Sequence, residues 1–267
     1  MYDFNFHRPT DVAGAASLLK AEDAKLLAGG QTLIPTLKQR LAAPKNLIDL
    51  SGIENLFGIE RKGRNIVIGA MTRHAEVATS GVINKAIPAL CELASHIGDP
   101  AVRNRGTIGG SLANNDPSAD YPAAALALDA TIITNKREIP SGEFFKGLFE
   151  TALASDEIIV QVCFPIPIKA GYAKFPNPAS RYAMTGVFVS KDGDGVRVAV
   201  TGAGESGVFR VTAMERALMK KFVPKSLEGV KVDPKGMIAD LHGAADYRAH
   251  LVSVMARRAV EAATKTK

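Results

Sequence analysis

The chain has 267 residues, 46% hydrophobic and 22% charged, a balance that excludes intrinsic disorder and allows one large domain or two to three small ones. Its net charge is +6, and the whole surplus is C-terminal: Arg210 to Lys267 carries twelve Lys or Arg against six Asp or Glu, whereas the preceding residues balance at 21 and 21. These basic residues are dispersed and have few aromatic neighbours, which reads as a solvated helical face rather than a nucleic-acid surface.

The start, "MYDFNFHRPTDV", lacks the basic region and unbroken apolar core of a secretory signal, so a cytoplasmic location is expected. Thr10 and Asp11 cap a helix through "AGAASLLK", and "KLLA" reads as a short strand. Gly29-Gly30 follows, then a helix "QTLIPTLKQRL" in which Pro35 is tolerable only near the first turn, then a strand "NLIDL". This is a small β-turn-α-β unit whose glycine turn meets a helix N-terminus, a place that favours an anion. Further on, "NIVIGA" reads as a strand and "IPALCELASHI" as a helix opened by Pro88, with a second glycine pair, Gly109-Gly110, close behind in "RNRGTIGGSLANND". Asp120, Tyr121 and Pro122 open the helix "AAALAL", and "ATIIT" and "EIIVQVCF" are strands, so the block is mixed α+β. The longest apolar stretch, "YPAAALALDATII", is broken by Asp129 and falls short of the roughly 20 residues of a membrane span.

Two prolines and a glycine in "FPIPIKAG" mark a boundary near residue 168. Beyond it, "YAMTGVFVS" and "GVRVAVTG" read as alternating strands of a hairpin joined by "KDGDG". The last helix, "DYRAHLVSVMARRAVEAA", is capped by Asp246 and aligns Leu251, Val254, Met255 and Ala259 on one face, which is expected to pack on the hairpin. No internal repeat is present.

The chemistry is concentrated in the two glycine pairs. Each follows an apolar run and is expected to expose a row of backbone N–H groups unshielded by Cβ atoms. Two such turns folded together suit a pyrophosphate, and therefore a dinucleotide such as FAD or NAD. Gly202, Gly204 and Gly207 also spell GxGxxG, but Arg197 gives the preceding strand an exposed side and the next helical run begins only around Thr212, so this is read as a loop. The five histidines have no zinc-ligand spacing, and Cys91 and Cys163 alone cannot hold an iron–sulfur cluster. Ser111 and Ser118 lack a nucleophile elbow and a paired base.

The segments "LLAGGQTLIPTLKQRL", "IGDPAVRNRGTIGGSLANNDPSADYPAAALALDA" and "GYAKFPNPASRYA" resemble the FAD-binding medium subunits of molybdenum hydroxylases, especially those of carbon monoxide dehydrogenases, and the similarity spans nearly the whole chain. The resemblance implies an α+β fold: a two-subdomain, PCMH-type FAD domain over residues 1–168 (subdomains about 1–55 and 56–168), then a sheet-and-helix domain over 169–267. It places FAD between the subdomains, with its pyrophosphate wrapped by Leu26, Leu27, Ala28, Gly29, Gly30, Gln31, Thr32 and Leu33 and by Thr107, Ile108, Gly109, Gly110 and Ser111. Asp120 would bond sugar or ribityl hydroxyls, although it also suits a helix N-cap. Ile159 would pack near the flavin ring, or serve as ordinary strand core. Lys174 would sit at the ring's polar edge and favour the anionic reduced flavin, or be a solvated strand lysine. Ile97 stands where xanthine dehydrogenase relatives carry an aromatic side chain. The implied partners are a small subunit with two [2Fe–2S] clusters and a large molybdopterin subunit, assembled as a dimer of heterotrimers. An autonomous flavin oxidoreductase is the other reading.

Overall fold

The computed structural model describes residues 1–193 and 195–265; Asp194, in the expected "KDGDG" turn, lies outside the described residues. The N-terminal unit is built on three parallel strands, β1 (Asn5–His7), β2 (Ala24–Leu27) and β3 (Asn46–Asp49), in the order β1-β3-β2. Asp11 caps α1 (Val12–Leu19) as its sequence demands, accepting the Gly14 N–H at 2.7 Å. Helix α2 (Leu33–Lys38) is shorter than the pattern suggests, and Pro35 falls in its first turn, where no N–H is missed. Because both crossovers return parallel strands, the carboxyl ends of all three lie on one edge, the usual binding edge of such sheets.

A second sheet is antiparallel throughout. It contains β4 (Ile59–Lys62), β5 (Asn65–Gly69), β6 (Thr131–Thr134) and β7 (Glu138–Pro140). A separate two-stranded hairpin, β8 (Phe145–Gly147) and β9 (Glu150–Thr151), precedes β10 (Ile159–Pro165), which inserts between β5 and β6. The helices of this block are α3 (His74–Thr79), α4 (Gly81–Ala86), α5 (Pro88–Ser95), α6 (Pro100–Arg103), α7 (Ile108–Asn114), α8 (Tyr121–Ala127) and α9 (Ser141–Phe144). Pro88 is the first residue of α5, as expected. Gly109-Gly110, expected as a turn, is instead the first turn of α7, capped by Thr107.

The remaining sheet runs β11 (Lys169–Pro176), β12 (Ala183–Lys191), β13 (Val196–Thr201), β14 (Phe209–Arg210), all antiparallel, with α10 (Thr212–Lys220) and the long α11 (Ala245–Lys265) against it. The expected half-exposed alternation fails for β12, which is buried at every residue from Ala183 to Ser190. Its alternate side chains enter two different cores: Val187 and Val189 face α11 with Val198 and Val200 of β13, while Phe188 joins Tyr172 and Ala199 in the core that contains α5 and α8. Polar groups on the second face are satisfied across the junction, Ser190 Oγ donating to the Ala127 carbonyl and Thr201 Oγ1 to those of Pro117 and Ala119. Leu251, Met255 and Ala259 line the buried face of α11 as expected, with Val254 at its margin. Asp246 does not cap it, because the helix has already begun at Ala245.

Candidate dinucleotide site

A cleft of about 380 Å³ opens at the carboxyl ends of β1, β2 and β3. One wall is Arg8, the loop Leu27–Gly30, Ile34 and Asp49 with Ser51; the other is Met71, Arg73, Arg105 and Thr107 from the second block. The two walls are in direct contact at Gly29, where a Cβ would stand 2.2 Å from the Arg105 carbonyl oxygen and 2.7 Å from the Gly106 Cα. Gly30 has φ +74°, a left-handed conformation that turns the chain into α2. Glycine at both positions therefore has a steric cause, and the two glycine segments do fold together.

Their backbones differ in what they offer. The N–H groups of Gly29, Gly30, Gln31, Thr32 and Leu33 donate to no acceptor among the described residues, so this loop is an open row of donors. In the second segment the Thr107 N–H alone has no acceptor among the described residues: Ile108 N–H donates to the Thr72 carbonyl (3.1 Å), Gly109 to Ala70 (2.8 Å), Gly110 to Thr107 Oγ1 (3.2 Å) and Ser111 to the Thr107 carbonyl (3.0 Å). The expectation of a second exposed row is corrected here. Gly109 is glycine because its Cα lies on Ala70, where a Cβ would come within 2.6 Å of that side chain.

Of the residues expected around a pyrophosphate, Leu27, Ala28, Gly29, Gly30 and Thr107 line the cleft. Leu26 packs on the α1 core, Gln31 and Thr32 are exposed, Leu33 is half-buried, and Ile108 and Gly109 are buried behind the cleft wall, with Gly110 and Ser111 half-buried. Arg8, Asp49, Arg73 and Arg105 were not expected. A sequence signal exists for Asp49, which ends the second strand of the β-turn-α-β unit about 20 residues beyond the glycine turn, the place from which an acidic residue reaches a ribose. Its carboxylate accepts from Ser51 N–H and Oγ at 2.9 and 2.6 Å.

Asp120 and Lys174 meet at a second point. The Lys174 ammonium is 3.0 Å from Asp120 and donates to the His96 carbonyl at 3.0 Å, and Tyr172 donates to the other side of the same carboxylate at 2.5 Å. The side chains of Lys174 and Asp120 are only 2% and 4% exposed, so the solvated-lysine alternative is excluded. Asp120 does not cap α8; its carboxylate is spent on Tyr172 and Lys174. Burial pushes the Asp120 carboxyl up, opposed by the Lys174 charge and the Tyr172 hydrogen bond. Ile97 is half-buried beside His96, and Ile159 is buried in the core of the second sheet.

His74 supports the cleft wall from below: its N–H donates to the Gly106 carbonyl at 3.0 Å, and a Cβ on Gly106 would meet its Nε2 at 2.5 Å. The ring lies against Tyr121, with centroids 5.3 Å apart. Burial, aided by the nearby Arg103 guanidinium, brings its pKa down to about 4, so the imidazole is neutral.

The model of the FAD-binding domain in molybdopterin dehydrogenase matches residues 2–167. The chain belongs to this FAD-binding family. It is 36% identical to the carbon monoxide dehydrogenase medium chain of Hydrogenophaga pseudoflava, over 97% of this chain and 96% of the relative. It is equally 36% identical to the nicotine 6-hydroxylase medium subunit of Paenarthrobacter nicotinovorans, with the same coverage. Among solved structures, the H. pseudoflava carbon monoxide dehydrogenase lacking the Mo-pyranopterin moiety superposes with a TM-score of 0.87 at 35% identity, covering 98% of this chain and 97% of that one. Quinoline 2-oxidoreductase from Pseudomonas putida 86 gives 0.88 at 28% identity, covering 98% of each chain. The mixed α+β fold of this FAD-binding family member, with its C-terminal antiparallel sheet and long helix, is thus a whole-chain likeness. The GxGxxG-like Gly202–Gly207 segment has no part in the site. Gly202 sits where a Cβ would meet the Ala183 carbonyl at 2.3 Å, and the loop leads to β14, not to a helix N-terminus.

Proposed function

We propose that this chain is the FAD-carrying, electron-transferring subunit of a molybdenum hydroxylase, passing electrons from the [2Fe–2S] clusters of a small subunit to an external acceptor while a large molybdopterin subunit oxidises the substrate. The observation that carries this reading is the cleft: unpaired loop N–H groups and arginines at the carboxyl ends of parallel strands, with room for a diphosphate and its nucleoside. FAD, when bound, supplies the redox centre. The chain's own residues hold it: Leu27–Gly30 and Thr107 at the pyrophosphate, and Asp120 and Lys174 toward the flavin end. Lys174 has three N–H donors and uses them on His96 and Asp120, so a further acceptor is accommodated without breaking the pair. The relatives' names, a medium chain or medium subunit of a dehydrogenase or hydroxylase, support assembly with other subunits; a dimer of heterotrimers in the cytoplasm is part of the proposal. We divide the chain at residue 168, with subdomains about 1–55 and 56–168, because the last sheet starts at Lys169.

Direct action on a small molecule would need a proton donor or acceptor free beside the flavin. Lys174, the candidate for that role, is committed to Asp120, so nothing favours the autonomous reading. Among the described residues no helix is long and apolar enough to cross a membrane. The test is absorption spectroscopy of the full chain mixed with FAD and desalted: shifted flavin bands at about one per chain are expected, and a colourless protein that also stays colourless when co-expressed with its neighbouring subunits refutes the reading.

A further inference from the structure

We infer that the tip of the β8–β9 hairpin, Leu148 and Phe149, is a preformed anchor for an apolar, basic-edged socket on the electron-donating iron–sulfur subunit; this rests on the subunit reading above. The two side chains are each 57% exposed, on a turn, a place where polar residues and glycine prevail. Phe149 also has φ +54°, a left-handed conformation that strains a bulky aromatic residue and that glycine adopts freely. The turn keeps it because a neighbouring element holds the backbone. Asn115, buried and itself left-handed at φ +43°, donates to the Gly147 and Glu150 carbonyls at 2.8 Å each, and its own carbonyl accepts the Phe149 N–H at 3.3 Å. A strained turn, clamped by a buried amide so that it presents two apolar side chains to water, gains nothing for the chain alone and suits a contact that another protein covers.

Charge and position identify that protein. Asp116, beside the clamp, and Glu143 and Glu150, in the hairpin segment, form no salt bridge among the described residues, against one cation there, Lys146. In a chain of net charge +6 this corner is acidic, so the surface complementary to it is basic at its edge. A second copy meeting it through the basic C-terminal region would make a head-to-tail contact, which builds rings or filaments rather than a closed dimer. The clamp also ends α7, whose cap Thr107 lines the cleft, and a seven-residue helix is about 10 Å long. What docks on the tip therefore stands one short helix from the cofactor, which an electron donor requires and a substrate-oxidising subunit does not.

The experiment uses the full chain assembled with its iron–sulfur and molybdopterin subunits, and compares the wild type with Phe149→Gly, Glu150→Lys and, as a control, Leu41→Ser, which removes an equally exposed apolar side chain from the N-terminal unit. Phe149→Gly is expected to raise the dissociation constant of the assembly about thirtyfold, the factor for an interface hot spot, with FAD still retained. Its melting temperature should be no lower than the wild type's, because glycine relieves the left-handed strain; a purely structural Phe149 would give a lower one. Glu150→Lys should slow association at low salt, and Leu41→Ser should change nothing. A benzophenone carried on Leu148→Cys should cross-link to the iron–sulfur subunit on illumination, and one on Leu41→Cys should not. Phe149→Gly that assembles like the wild type, or a cross-link from Leu148→Cys to the molybdopterin subunit or to a second copy, overturns the anchor while leaving the subunit reading intact. A wild-type chain that retains no FAD and binds neither subunit overturns that reading, and the anchor with it.

Discussion

A methyl group on Gly29 would collide with the Arg105 backbone rather than with a movable side chain, so Gly29→Ala must push the two walls of the cleft apart. Overpacking of this kind costs about 1–3 kcal/mol, and the expected outcome is a lower denaturation midpoint together with loss of retained flavin. His74 is the other residue whose setting makes a measurable demand. In the unfolded chain it takes up a proton near its ordinary 6.5, whereas in the folded chain it does so only at about 4. The unfolded state therefore binds more protons between these values, and stability should decline as pH falls from about 6.5 toward 4. Urea melts across that range check the slope, which should be shallower in a His74→Asn variant, with Glu157, held down to about 2 by Arg137, contributing to the remainder at the acid end. Asp120 and Lys174 were named as site residues only through the family resemblance, whereas the glycine loop was legible as a candidate anion site because its composition carries the chemistry. That Asp120 and Lys174 are paired, 54 positions apart, was not, since no local pattern records which strand a helix end will meet.

At the scale of elements, the close approach of β11 and α11 is decided by Gly171, where a Cβ would stand 2.0 Å from the Ala259 carbonyl oxygen. Gly171→Ala should separate sheet and helix and lower the thermal midpoint more than Gly193→Ala, whose Cβ would meet nothing, does; paired thermal melts decide it. Helix caps and starts at Asp11 and Pro88 were readable because they depend on neighbouring residues alone. The burial of β12 on both faces was not. "YAMTGVFVS" mixes Thr, Gly and Ser with apolar residues, as a half-exposed strand does, but Ser190 is satisfied by a carbonyl of α8 and Gly186 leaves room for the Tyr172 hydroxyl, 2.6 Å from where its Cβ would be. The second glycine pair was misread for a related reason: a glycine turn and a helix start packed tightly on Ala70 have the same composition.

For the whole molecule, the basic C-terminal surplus now has a location. Arg248 is buried, donating to the carbonyls of Met184 and Gly202 and to Asp240, and Arg210 is paired with Glu215, so both are structural. Arg216, Lys220, Lys221, Lys225, Lys231, Lys235 and Arg258 are exposed and form no salt bridge among the described residues. With the chain as one subunit of a complex, this field is expected to steer docking, so assembly with the partner subunits should slow and weaken as ionic strength rises. Association rates measured between low and physiological salt check this, and salt-independent assembly would count against it.

The residues of this chain by themselves determined a mixed α+β protein with a glycine-bounded dinucleotide site and membership in an FAD-binding family, because turns, caps and anion-binding loops are short-range and keep their composition. The tertiary structure alone decided which glycine segment keeps its N–H groups free, which arginines line the cleft, and that Asp120, Tyr172 and Lys174 converge. Those outcomes depend on which backbone acceptors and which opposite charges come within reach, and these are contacts between segments far apart in sequence.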